Sequence, residues 1–222
     1  MVRGIRCVAL FLFVLAVAGC ASFFVAGQVQ SGRQALLMNN PEAALAYFQE
    51  AAERNPDYIY QSMNFLEGVW TYVGRAQYAL GRYDDARRSF ERALSVYKDD
   101  AMAQLYLGLA MARSGEEAQG LKYIQMGLRS LSNWIEFLNR GTPYYAFWDP
   151  RGEIRTELEK LLAPASGEQI ASASSIIENA EWVGRQMEEE IDKVRGDERR
   201  QFQRDLDGDG RRGLGLGLGI GF

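Results

Sequence analysis

The sequence predicts an all-α protein, built as a solenoid of helical hairpins, closed by C-terminal helices and followed by a flexible glycine- and leucine-rich tail. Apolar residues recur at three- and four-residue spacing along most of the chain, which is the period of a helix face. Small residues also return at fixed positions 34 residues apart, with an aliphatic residue in place of an aromatic one, the mark of stacked units. The 222 residues, 47% of them hydrophobic, leave room for one domain of ordinary size once a targeting segment is removed.

The targeting segment comes first. Met1 to Arg6 carry two positive charges, and Val8 to Ala18 form an apolar run of signal-peptide length, too short to span a bilayer comfortably. The run ends Val17-Ala18-Gly19-Cys20, which resembles the bacterial lipobox: an aliphatic residue, two small residues, and the cysteine that is lipidated. The resemblance implies that residues 1–19 are removed, that Cys20 takes a diacylglyceryl group through its thiol, and that buried acyl chains then hold the protein at a membrane. Ala21 stands where many inner-membrane lipoproteins carry a retention aspartate, so the expected location is the outer membrane, facing the periplasm.

The repeats occupy residues 20–134. Trp70, Gly74, Gly81, Tyr83, Ala86, Phe90 and Ala93 resemble the tetratricopeptide repeat, and a 34-residue step lands on Leu107, Gly108, Gly115, Gly120, Ile124 and Gly127. In that pattern small residues let two antiparallel helices cross closely while larger side chains fill the space beside them. Gln104 departs from it, because an aromatic belongs there. Upstream, Gly32, Ala44, Phe48, Ala51 and Pro56 fit the template 42 residues before their equivalents, so about eight residues are inserted from Tyr58 onward. Asn40 and Pro41 mark a helix start, and Ala44, Leu45, Phe48, Ala51 and Ala52 share one face of that helix. Two readings stand: three repeats over about 25–58, 67–100 and 101–134, or two repeats behind an irregular hairpin.

Stacked units need closed ends. Residues 135–205 supply candidates. Trp134, Phe137, Tyr144, Tyr145, Phe147 and Trp148 form an aromatic stretch broken by Gly141 and Pro143, expected to be buried as a fastening. Asp149-Pro150 reads as the start of a helix with Ile154, Leu158, Leu161 and Leu162 as its stripe. A longer helix is expected from Ser166, paired with Gln169 as a capping box, through Ile176, Ile177, Ala180, Val183, Met187, Ile191 and Val194. Arg195 to Asp209 reads as a solvated extension. The low-complexity tail, 206–222, ends in alternating glycine and apolar residues. It suits a disordered segment or a strand added to another protein's sheet edge.

Composition excludes several functions. Without histidine the chain lacks the commonest general base, the commonest zinc ligand and every Ser/His or Cys/His arrangement. The acidic run Glu188-Glu189-Glu190 before Lys193 reads as solvated surface, not as a catalytic carboxylate. Asp205, Asp207, Asp209 and Gly210 begin like a calcium loop, but Leu216 stands where the bidentate glutamate belongs, so a solvated turn is expected. Neither metal nor cofactor is implied. Past the signal, 29 acidic residues face 23 basic ones, the 25 of the chain less Arg3 and Arg6, which disfavours nucleic acid.

In the tetratricopeptide family the first helix of each repeat lines a concave groove. The resemblance places Thr71, Arg75, Tyr78, Leu105 and Leu109 there, as contacts for an envelope protein or peptide with apolar anchors and an acidic group. Equally open is that these residues pack against the chain's own C-terminal helix. Val29, Thr71 and Leu105 occupy one repeated position of the family's carboxylate clamp, so binding of that type is not expected. The predicted function is a non-enzymatic adaptor or assembly factor in the cell envelope. The alternatives are a self-associating structural subunit and, behind it, a cell-wall-acting enzyme.

Overall fold

Two antiparallel helices joined by a tight turn recur three times in the computed structural model, which describes residues 23–62, 65–141, 148–163 and 172–213. The hairpins are α1 (23–37) with α2 (Pro41–Arg54), α3 (Val69–Ala79) with α4 (Tyr83–Val96), and α5 (Ala101–Arg113) with α6 (Glu117–Gly141). Each turn holds a residue at positive φ: Asn39 at 56°, Gly81 at 72° and Gly115 at 93°. A left-handed residue reverses the chain most cheaply when it lacks a Cβ, and asparagine is the usual substitute. The Asn40 side chain accepts the Ala43 amide at 3.1 Å, and Pro41 occupies the first turn of α2.

The spacing seen in the sequence becomes a repeated crossing. A Cβ at Gly32 would collide with the Phe48 ring, and one at Gly74 would stand 2.5 Å from the Phe90 ring. At Gly108 it would stand 2.6 Å from the Gly120 carbonyl, beside Ile124. Phe48, Phe90 and Ile124 are all fully buried. The third crossing is backbone on backbone, so it has no side chain that can swing away. Gly108→Ala is therefore expected to cost about 1–3 kcal/mol by overpacking. Gly81→Ala meets open space and pays only the left-handed penalty of about 1–2 kcal/mol. Urea unfolding of the two variants checks that order.

The inserted residues form a β-hairpin, β1 (Ile59–Ser62) paired antiparallel with β2 (Phe65–Gly68) in the register Ile59 to Gly68 and Ser62 to Phe65. Tyr60 and Ser62 are buried while Ile59 and Gln61 face outward, the alternation of a half-covered strand. The sequence showed the insertion but not its strands, because four-residue runs carry too little period to separate from a loop. Phe65 of β2 packs at 4.8 Å on Trp134, which in turn meets Trp148 edge-on at 4.5 Å. These aromatics fasten the third hairpin to the C-terminal elements, but Trp134 and Phe137 lie on α6, not in a loop, and Phe137 is 60% exposed. Tyr144, Tyr145 and Phe147 lie outside the described residues.

Two helix starts differ from expectation. α7 (Glu153–Leu162) begins after Gly152, which adopts φ 71°, rather than directly at Pro150. Asp149 still serves the start from a distance, accepting the Ile154 and Arg155 amides at 3.2 and 3.0 Å. Its own strained φ of 43° supplies the bend that takes Pro150 out of the helix. α8 (Ala173–Gly213) starts from Ser172, whose hydroxyl accepts the Ser175 amide; Ser166 and Gln169 lie outside the described residues. It runs 41 residues, about 60 Å at the helical rise, so Asp205 to Gly210 are helical instead of forming a turn. α7 packs between α6 and α8 through Ile154 and Leu158. Among the described residues no helix is long and apolar enough to cross a membrane. Cys20 and the tail from Leu214 lie outside them.

Candidate functional site

The first helices of the hairpins, α1, α3 and α5, share one side of the stack, and α8 runs across that side as across a groove. One stripe of α8, Glu181, Gly184, Glu188, Asp192 and Arg195, faces the groove at three- and four-residue steps. Glu188 is the centre of the contact. Its carboxylate accepts from Arg33 Nε at 2.6 Å and from Arg75 Nη1 at 2.6 Å, and all three side chains are buried. Arg75 Nη1 also donates to Glu67 at 3.1 Å, and Tyr72 donates to the other Glu67 oxygen at 2.5 Å. Arg33 Nη1 donates to the Tyr60 hydroxyl at 2.9 Å. The result is a buried cluster of two guanidiniums and two carboxylates, tying α1, β1, β2, α3 and α8 together.

Burial and charge set the protonation of this cluster. Loss of water pushes the Glu67 carboxyl up to about 7, against the pull of Arg75 and with Glu188 and Asp100 adding repulsion. Burial also opposes the charge on Glu188, but Arg75 and Arg33 outweigh it and hold that carboxyl below its usual range. A carboxyl raised in the fold binds a proton that the unfolded chain releases, so stability grows as pH falls through 7 toward 4.5, by at most about 1.4 kcal/mol per unit. Glu188 acts in the opposite sense: its contribution is present above 4.5 and is lost on further acidification. Urea unfolding is expected to show greater stability at pH 5.5 than at 7.5, and Glu67→Gln is expected to flatten that difference.

The five residues expected in the groove are distributed as follows. Thr71 is buried and donates to Asp100 at 2.6 Å, while Asp100 also accepts the Gly68 and Ala103 amides. That carboxylate thus joins the start of α3 to the start of α5. Arg75 is 6% exposed and turned to Glu188. Tyr78 donates to Glu181, which Arg113 grips through Nε and Nη2 at 3.0 and 2.8 Å. Leu105 and Leu109 are fully buried in the core. Thr71, Leu105 and Leu109 are enclosed while α8 is in place, whereas Arg75 and the half-buried Tyr78 reach the cavity beside it. What stays open beside α8 is a cavity of about 420 Å³, lined by Leu36, Leu37, Tyr78, Ala79, Arg75 and Arg185 among others.

Arg33, Tyr60, Glu67, Tyr72 and Glu188 were not anticipated. The repeat register held a signal for one of them: Arg33 follows Gly32 as Arg75 follows Gly74, and Leu109 follows Gly108 at the same position. The run Glu188-Glu189-Glu190, read as solvated, is solvated only at Glu189. Glu188 and Glu190 are 3% and 6% exposed, and Glu190 accepts the Asp149 amide at 2.7 Å. Their burial depends on which helix they meet, which local charge pattern does not record. Among the described residues no group of three or more acidic, histidine or cysteine side chains is arranged to hold a metal ion.

Stacked antiparallel hairpins with small-residue crossings and a charged groove define a helical-repeat solenoid. Residues 74–132, from the middle of α3 into α6, match the tetratricopeptide repeat family. The fold is an all-α solenoid of that type, and repeats of this family generally serve as non-catalytic modules that bind protein partners. No curated protein matches the chain.

Proposed function

We propose that the protein is a lipoprotein anchored through Cys20 in the outer membrane, facing the periplasm, where it acts as an adaptor or assembly factor for another envelope protein. The repeat array carries this reading: three stacked hairpins with a recessed cavity rimmed by exposed Leu37, Ala79 and Arg185 offer an apolar and charged contact surface. The lipobox pattern at Val17 to Cys20 supports the anchor, and tethering raises the effective concentration of a partner in the same compartment. Without histidine the chain lacks the commonest general base and the commonest zinc ligand, which favours an interaction role over chemistry.

The test is crosslinking of the full chain in an intact two-membrane envelope, with capture identified by mass spectrometry. Cys20→Ala is expected to move the protein from the membrane to the soluble fraction and to reduce capture of its partner at least ten-fold. Because Arg75 is part of the buried cluster, the groove is probed at its exposed rim with Leu37→Glu and Arg185→Glu, which should abolish the same crosslink. Self-crosslinks alone, unchanged by those rim variants, would replace the adaptor with a self-associating subunit built on α8.

A further inference from the structure

We infer that the groove is a receptor for an amphipathic acidic helix, that α8 is its resident occupant, and that a partner helix of the same pattern takes its place. This rests on the adaptor reading and names the chemistry of the partner. α8 meets the groove through charge as much as through apolar surface. Glu181 sits on Tyr78 and Arg113, Glu188 on Arg33 and Arg75, and Asp192 on Gln34 at 3.0 Å. Gly184 is the notch between them, since a Cβ there would stand 2.8 Å from the Tyr106 ring. Beside this stripe Ala180, Val183, Met187 and Ile191 are buried. A fitting partner therefore carries carboxylates seven residues apart, a glycine three residues after the first, and an apolar stripe alongside.

The groove cannot simply be left empty. Removal of α8 would expose the apolar surface buried beneath Val183, Met187 and Ile191 and strip Arg33 and Arg75 of the carboxylate they share, so its removal is coupled to its replacement. Replacement also has something to gain. Arg33 Nη2 and Arg75 Nε are buried and have no hydrogen-bond partner among the described residues, so α8 satisfies the cluster incompletely. A helix bringing one more acceptor supplies what α8 lacks. The chain order permits the exchange: α8 is the last described element, and residues 164–171 alone connect it to α7, so no later described element crosses it. The open cavity reaches Arg75 and Glu188 along the flank of α8, giving an incoming side chain access to the cluster.

The probe is a labelled synthetic peptide of residues 173–197, tested against the full chain by fluorescence anisotropy. Gly184→Leu in the chain unseats α8 on Tyr106, so this variant is expected to bind the peptide at least ten-fold tighter than wild type. Glu188→Gln in the peptide should cost at least ten-fold of that affinity. A second arm needs no destabilised variant: a protease site placed within residues 164–171 is cut, and the labelled peptide is expected to replace the severed α8 while circular dichroism shows the chain folded. If the severed helix leaves only on global unfolding, or if binding ignores Glu188, α8 is a fixed part of the fold and the inference fails. If Gly184→Leu does not fold, the cleavage arm decides. Envelope capture without peptide exchange leaves the adaptor reading standing and removes this one. Exchange without capture does the reverse.

Discussion

Glu188→Ala is expected to lower the unfolding free energy by about 3–5 kcal/mol, and Glu189→Ala on the outward face of the same helix to change it by less than about 0.5 kcal/mol. The difference follows from what each carboxylate leaves behind. Glu189 is exposed and has no ion pair among the described residues. Glu188 neutralises Arg33 and Arg75, and their desolvation is already spent when the carboxylate is gone. Glu67 then has Arg75 to itself and no Glu188 repelling it, so it ionises more readily and offsets part of the loss. Two readouts follow from one variant: a drop in the urea midpoint, and a shallower pH dependence between 5 and 7. A drop with unchanged pH dependence would mean that Glu67 and Glu188 do not share one electrostatic cluster.

Phe90→Ala is expected to cost about 3–5 kcal/mol with little change in the slope of the urea transition. The ring is fully buried, lies against the bare backbone of Gly74, and stacks on Tyr106 with centroids 6.0 Å apart. Its loss opens a void between α3 and α4 that the crossing cannot close, because the hairpin geometry is held on both sides by the hairpins next to it. Phe48→Ala repeats the experiment in the first hairpin, where the ring fits Gly32 and stacks at 5.2 Å on Tyr72. Similar losses in both would show that the two crossings are equivalent. A much smaller loss at Phe48 would mark the first hairpin as a loose end.

The hairpins were legible because close helix crossing demands a small residue opposite a large one, and that demand is local and periodic. Gly32, Gly74 and Gly108 announce it, as do the turn glycines Gly81 and Gly115, whereas the left-handed Asn39 became visible only in the structure. Thr71, Arg75, Tyr78, Leu105 and Leu109 were placed on the correct helices by the same register. That they meet the C-terminal helix was one of two readings left open, and Arg75 and Tyr78 do so; which residues they meet was not legible, because Glu188 and Glu181 lie more than 100 positions away. No period links those positions. Glu67 escaped for another reason, since it lies on a strand of an insertion whose four-residue elements give no pattern. The early end assigned to α8 reflects the same limit: helix former content continues past Val194, but the buried stripe that signals a helix does not.

A stack of repeats ordinarily melts like a row of dominoes, each unit answering only to its neighbours, with the outermost fraying first. Here α8 reaches from Gln30, Arg33 and Gln34 in the first hairpin, past Arg75 and Tyr78 in the second, to Tyr106 and Arg113 in the third. The row is thereby bound along its length by one rod, and no unit can loosen alone. While a helix fills the groove, the hairpins trade the gradual unravelling of a linear array for a single cooperative transition. Its folding must also wait for contacts between residues more than 150 positions apart, which makes the final closing step slower than the winding of any hairpin.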